Sequence, residues 1–245
     1  MMIDKIRAII FDLGGTLYRP GSDLCGLTRE FMSDVRLSDL AEHTDEHIKS
    51  ALDTPNEWLW NLMLQGNVPI DWQPTTEVWI EYDKLLLSAL GVTDDLDNLA
   101  IAYQARWDKF FEDNSPELIE GVKDTLEALR QRGFHLGIAS NRFDDPKELL
   151  IQDKIYHLFD VIEYTNVPGY AKPSPYMLIR AADALKLNPR RCAFVGNIAD
   201  NDMIAATRAE MVPILLSWCD PEEVEKVSTD TIVIERVSDL LEILR

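Results

Sequence analysis

Short, mostly apolar runs recur along this chain, and they constrain its fold more than any other feature. Ile6 to Phe11, Phe134 to Ala139, Cys192 to Gly196, Val212 to Leu216 and Thr231 to Ile234 are each only a few residues long. Such runs mark strands buried on both faces of a parallel sheet; a half-exposed strand would alternate apolar and polar residues. Helical spacing lies between them. Leu118, Val122, Leu126 and Leu129 fall on one face, with Gly133 as the stop. Pro173 to Leu187 gives a second helix, with Met177, Ala181, Ala184 and Leu185 on its apolar side. A short helix over 238–244 closes the chain. Strand and helix alternate from about Pro116 onward, which predicts an α/β, doubly wound parallel sheet of Rossmann-like form.

The rhythm breaks between Tyr18 and Ser115. Helical patterns at Asp45–Leu52, Glu57–Leu64, Glu77–Leu90 and Leu96–Glu112 fill this stretch, and no segment reads as a strand. Five of the six tryptophans lie here: Trp58, Trp60, Trp72, Trp79 and Trp107. The pattern predicts an inserted α-helical domain over 21–114, with the α/β core formed by 1–20 and 115–245. The tryptophans are expected mainly as bundle core, and some of them as pocket lining. Gly21 and Asn114-Ser115-Pro116 punctuate the two crossings, and hinges are expected at Tyr18–Gly21 and Asn114–Pro116.

Composition excludes several functions. The 245 residues are 46% hydrophobic, enough for a real core, and 27% charged without low-complexity segments. No apolar run is long enough to cross a bilayer. The N-terminus lacks a secretory signal pattern. A net charge of −19 opposes nucleic acid and anionic membranes as partners. Cys25, Cys192 and Cys219 form no CxxC pair, so free thiols and a cytoplasmic setting are expected.

Four groups of residues carry possible chemistry. The first is Phe11-Asp12-Leu13-Gly14-Gly15-Thr16, directly after the first strand, where open α/β sheets place their ligand crevice. Alone it is an ordinary strand-to-turn sequence. Ser140-Asn141 follows the second run, and by itself would be a polar turn. Ala171-Lys172-Pro173 precedes a helix, where the helix dipole disfavours a cation, so an anionic partner for Lys172 is expected. Gly196-Asn197-Ile198-Ala199-Asp200-Asn201-Asp202 follows the strand at Cys192, and its acids are also suited to capping a helix. All four fall on one edge of the expected sheet.

That order, an Asp with a Gly-Thr turn, then Ser, then Lys-Pro, then Gly with downstream acids, resembles the haloacid dehalogenase superfamily of hydrolases. The similarity covers 4–20 and roughly 116–216, with the helical insertion standing where the family carries a cap. The resemblance implies Asp12 as a nucleophile forming an aspartyl-phosphate. It implies Thr16 and Ser140 as ligands of phosphoryl oxygens, helped by the backbone N–H groups of Leu13 and Asn141. Lys172 would neutralise charge. Mg²⁺ would sit among Asp12, the Gly14 carbonyl, Asn197 and Asp202, with Asp202 the retained acid of the last motif. The expected substrate is a small phosphorylated molecule.

Two positions depart from the family pattern. Gly14 stands where phosphatases of the superfamily carry an aspartate general acid, and Asn197 stands where an aspartate usually follows the glycine. A Mg²⁺-dependent phosphatase is the leading reading. A dehalogenase using Asp12 is the alternative, and it needs an arginine opposite Asp12, with Arg19, Arg29, Arg36 and Arg106 as candidates. A non-catalytic member that binds a ligand or a protein partner is the third. Neither the substrate's identity nor the oligomeric state is written in the sequence.

Overall fold

The computed structural model describes residues 5–21, 23–35, 37 and 43–244. The described residues divide into two compact units, those of 5–20 with 116–244, and those within 21–115.

The first unit is built on a six-stranded sheet. Its strands are β1 (Ala8–Phe11), β2 (His135–Ser140), β3 (Val161–Tyr164), β4 (Cys192–Gly196), β5 (Val212–Leu216) and β6 (Ile232–Ile234). They lie in the order β3-β2-β1-β4-β5-β6, and every pairing is parallel. The chain starts at β1, winds outward to β3, then crosses back to β4. The strand order therefore reverses between β1 and β4, which is the switch point where such sheets open a crevice at their carboxyl ends. Five of the strands match the apolar runs. The sixth, β3, has no such run: it is a half-buried edge strand interrupted by Glu163.

The second unit is helical, with no strand among the described residues. It contains α1 (Leu24–Asp34), α2 (Asp45–Ala51), α3 (Asp53–Gly66), α4 (Thr76–Ala89) and α5 (Leu96–Asp113). Helix α1 has no counterpart in the sequence reading. It is capped by Asp23, whose carboxylate accepts from the amides of Cys25 and Gly26. The bundle core is Phe31, Met32, Ile48, Leu86, Leu87, Ala100 and Tyr103, with Trp107 edge-on to Phe31 at 4.8 Å. This corrects the expectation for the tryptophans. Trp60 is 59% exposed, Trp58, Trp72 and Trp79 are half-buried, and only Trp107 of the five packs on the bundle core.

Core helices α6 (Val122–Gln131), α7 (Lys147–Gln152), α8 (Tyr176–Ala184), α9 (Ile204–Arg208) and α10 (Leu240–Ile243) complete the first unit. Strand alternation divides the apolar residues between two faces. Ile9, Phe11, Leu136, Ile138, Val195 and Ile214 meet Val122, Leu126 and Leu129 of α6 and Leu240 of α10. Ala8, Ile10, Phe194 and Leu215 meet Met177, Leu178, Ala181 and Ala182 of α8, and Ala205 and Ala206 of α9. Two boundaries differ from the spacing. Leu118 is extended and bridges Tyr18, with the Ile119 amide donating to the Leu17 carbonyl at 2.9 Å, so α6 begins only after Gly121. Helix α8 turns Leu178 and Ala182 inward, while Ala184 is exposed.

Candidate active site

Asp12 is the first residue past β1, and its amide donates to the Val195 carbonyl of β4 at 2.9 Å. The backbone then folds back on itself. The amides of Thr16, Leu17 and Tyr18 all donate to the Leu13 carbonyl, and the Gly15 amide donates to the Tyr18 carbonyl. Gly15 has φ +74°, the left-handed conformation that glycine adopts without steric cost. A Cβ there would also lie 2.4–2.9 Å from the Asn197 side chain. Gly14 is different: its φ is not positive, and a Cβ there would meet nothing within 4 Å. The backbone N–H groups of Leu13 and Asn141 make no backbone hydrogen bond among the described residues.

Lys172 is the centre of the arrangement. Its ammonium lies 2.7 Å from Asp12 Oδ1 and 2.7 Å from Asp202 Oδ1, with side-chain exposures of 3%, 12% and 2% for Lys172, Asp12 and Asp202. The Phe194 ring lies 5.1 Å from the ammonium. Burial works against the charge on Lys172, but Asp12 and then Asp202 outweigh it and raise its pKa above the ordinary lysine value. The anionic partner expected from the helix-start position is thus two carboxylates.

Asp202 belongs to a π-helical turn, Ala199–Met203. Its Oδ2 accepts from the amides of Asn197 and Ile198, each at 3.0 Å. Gly196 permits this approach, since a Cβ there would sit 2.4 Å from the carboxyl group. Burial pushes the Asp202 carboxyl upward more than the neighbouring ammonium pulls it back. With a lysine on one oxygen and two amide hydrogens on the other, the ionised form is the one this geometry serves. The turn is itself capped from outside, where Glu223 Oε2 accepts from the Ala199 amide at 2.5 Å. Asp200 is exposed and makes no cap hydrogen bond.

Asn141, just past β2, forms a two-point clamp on the lysine's backbone. Its Nδ2 donates to the Lys172 carbonyl and its Oδ1 accepts from the Lys172 amide, both at 2.8 Å. Ser140 ends β2 and is buried. Thr16 is fully buried, and its hydroxyl donates to Asn197 Oδ1 at 3.4 Å, a long contact. The other side of the Asn197 amide faces Cys219 Sγ at 3.9 Å. Trp218, beside Cys219 in the loop after β5, donates from its indole nitrogen to the Gly15 carbonyl at 3.0 Å.

The four sequence groups therefore converge at the carboxyl ends of β1, β2 and β4. The expected metal donors divide. Asp12, the Gly14 carbonyl and Asn197 are hard oxygen donors from the two central strand ends. Asp202 has both oxygens committed to protein donors, which takes it out of the ready donor set. Among the described residues, no three His, Cys, Asp or Glu side chains group as a metal cluster. One carboxylate with neutral oxygens still suits Mg²⁺, which commonly binds through one or two carboxylates, substrate phosphate and water.

Three of the four candidate arginines for the dehalogenase reading are ion-paired within their own units. Arg19 pairs with Glu117 at 2.9 Å, Arg29 with Asp45 at 2.7 Å, and Arg106 with Asp34 at 2.7 Å. Arg36 lies outside the described residues. The sequence reading missed Asn141's side-chain role, Glu223, Trp218 and Cys219. Only the position of Trp218, two residues past the end of a buried strand on the same sheet edge, signalled it in advance.

Known proteins resemble this chain. The chain is similar to the glyceraldehyde 3-phosphate phosphatase of Methanopyrus kandleri, 28% identical over 249 residues and spanning 98% of this chain and 97% of the relative. It is 30% identical to the phosphoglycolate phosphatase of Aliivibrio fischeri over 217 residues, 85% of this chain and 82% of that protein. Among solved structures, one from Haemophilus somnus described as a predicted phosphoglycolate phosphatase shares the fold. Its TM-score is 0.66 at 21% identity, with 98% of this chain and 99% of that one covered. The family model for haloacid dehalogenase-like hydrolases matches residues 6–210, and with these strand-end residues in place the chain belongs to that family of hydrolases.

Proposed function

We propose that this hydrolase is a phosphatase of small phosphorylated metabolites, with Asp12 as the nucleophile. The observation that carries the reading is the buried ion triplet at the switch point. Lys172 holds one oxygen of Asp12 and is itself held by Asp202, which leaves the other Asp12 oxygen for attack. Two relatives that bear phosphatase names, matched over 97% and 82% of their own lengths, support it.

Asp12 attacks phosphorus, the P–O bond to the alcohol breaks, and an aspartyl-phosphate forms. Water then attacks phosphorus and releases phosphate, regenerating Asp12. Lys172 offsets the negative charge that gathers on the transferring group. The backbone amides of Leu13 and Asn141 and the Ser140 hydroxyl supply donors for phosphoryl oxygens. Thr16, buried against Asn197, holds that amide in place. A Mg²⁺ held by Asp12, the Gly14 carbonyl and Asn197 would neutralise further phosphoryl charge. With one charged ligand it binds weakly. The departing alkoxide finds no acid at Gly14, so activated esters are the better substrates.

The reading gives residues 21–114 the part of a cap that sets substrate choice. A cytoplasmic setting is part of the same proposal, since free thiols suit a reducing compartment. Cys25, Cys192 and Cys219 are free thiols, and no helix of the described residues is long and apolar enough to cross a membrane. The test is a panel of three-carbon and two-carbon phosphates, nitrophenyl phosphate and 2-haloacids, each with and without Mg²⁺. Phosphate release is expected, fastest with nitrophenyl phosphate. Halide release without phosphatase activity would replace this reading with the dehalogenase one.

A further inference from the structure

Trp218 and Cys219 form the loop that leaves β5, next to β4 in the sheet. None of the chemistry above uses them, yet each touches a loop of the site, Trp218 the one after β1 and Cys219 the one after β4. The Trp218 indole N–H donates to the Gly15 carbonyl at 3.0 Å, and the Cys219 sulfur lies 3.9 Å from Asn197 Nδ2. Gly15 and Asn197 also press on each other, since no Cβ fits at Gly15 against the Asn197 amide. The three strand ends therefore interlock at one point. Thr16 follows Gly15 directly and donates to the other end of the Asn197 amide.

We propose that Trp218 is a positioning residue of the catalytic turn. Its hydrogen bond fixes the plane of the Gly15–Thr16 peptide. That plane sets the Thr16 side chain, and through it the Asn197 amide, relative to Asp12. The turn's Leu13 and Tyr18 carbonyls are served from within the turn and the Leu17 carbonyl by the Ile119 amide, whereas the donor to the Gly15 carbonyl among the described residues is the indole. Trp218 is 36% exposed and is not among the residues packed on either apolar cluster of the sheet. Its hydrogen bond thus acts on geometry at Asp12 more than on stability. Loss of the bond should be felt where the turn must hold the five-coordinate phosphorus, not where it holds ground-state phosphate.

The proposal rests on the phosphatase reading for its activity test, and the binding test separates the two. Trp218→Phe keeps a ring and removes the donor; Trp218→Leu removes both. For each variant, kcat on nitrophenyl phosphate should fall roughly three- to tenfold, the worth of one neutral hydrogen bond, with KM changed less than about twofold. Calorimetric binding of orthovanadate, which adopts the five-coordinate geometry, should weaken by the same factor, while binding of inorganic phosphate holds. An unchanged kcat in both variants, or a rise in KM alone, would overturn the role of Trp218 and leave the phosphatase reading standing. A natural protein that binds vanadate with this Trp218 dependence but hydrolyses no phosphate ester would overturn the phosphatase reading and keep Trp218. A natural protein that binds no vanadate would overturn both.

Discussion

Lys172 lies almost out of water between two carboxylates, and that placement decides what each of the three can contribute. Removing one partner of a buried ion pair leaves an uncompensated charge, at a cost of about 3–5 kcal/mol. Asp202→Asn would also turn an amide N–H toward either the ammonium or the amides of Asn197 and Ile198. We expect this variant to unfold at lower temperature, by about 3 kcal/mol of stability, and to lose at least ~10²-fold in turnover. Thermal unfolding and phosphate release measured on the same preparation check both. Gly14 invites the opposite experiment. Its backbone is not left-handed and open space lies beyond it, so an aspartate fits there without strain. Gly14→Asp should raise turnover on an alkyl phosphate by ~10-fold or more, with little change on nitrophenyl phosphate, whose leaving group needs no proton. Equal gains on both substrates would count against the missing-acid account. Asp12, Ser140, Lys172 and Asp202 were legible in the sequence because each directly follows or precedes a recognisable element. The clamp of Asn141 on Lys172 and the full occupation of Asp202 were not, since both depend on which side chains meet across loops 30 or more residues apart.

At the scale of elements, the helical unit carries an unusual group in its interior. Asp83 on α4 is 4% exposed, and its Oδ2 is one of three buried oxygens without a hydrogen-bond partner among the described residues, with Thr28 Oγ1 on α1 and the Tyr103 hydroxyl on α5. Burial first, and then the charge of Asp108 on α5, push Asp83 from 3.8 up to about 8. Tyr82 and Tyr103 are its other titratable neighbours, and burial raises both. The sign follows directly. Folding raises this pKa, so the folded state holds a proton that the unfolded chain releases. The contribution to stability is full below the ordinary value of 3.8 and is lost as pH rises to about 8. Between those limits it amounts to a few kcal/mol, on the order of 1.4 per pKa unit before relaxation. Asp83→Asn should therefore unfold at a higher temperature than the natural protein at pH 8, with the gap closing toward pH 4. Parallel pH profiles for the two proteins would contradict this. The sequence did not disclose the site, because one aspartate in an amphipathic helix reads as surface. Strand β3 escaped for a related reason: Glu163 breaks the apolar run of an edge strand that needs only one covered face.

Charge governs the whole molecule. At −19 the surface repels an anionic substrate, and the cation proposed to receive it, Lys172, is buried and already paired. Raising monovalent salt from ~10 mM to ~150 mM shortens the Debye length from ~30 Å to ~8 Å. The repulsion should weaken, so kcat/KM for a phosphate dianion should rise a few-fold, chiefly through KM. A fall with salt would mean that an attractive local field dominates the approach. The alternating architecture was legible at this scale, since five apolar runs with helices between them leave few other topologies. Which residues the inserted helices bury was not, because tryptophans at helical spacing do not reveal which helix face finds a partner.

The bond formed at Asp12 distinguishes this chemistry from every alternative. The enzyme can be mixed with nitrophenyl phosphate in the presence of Mg²⁺, quenched in acid within one turnover, digested, and the peptides weighed. The account predicts a phosphoryl group on the peptide carrying Asp12, acid-stable and lost on brief alkaline treatment, and absent from Asp12→Asn, which should show no turnover. Phosphate release with no modified Asp12 peptide, or sustained turnover by Asp12→Asn, would contradict it.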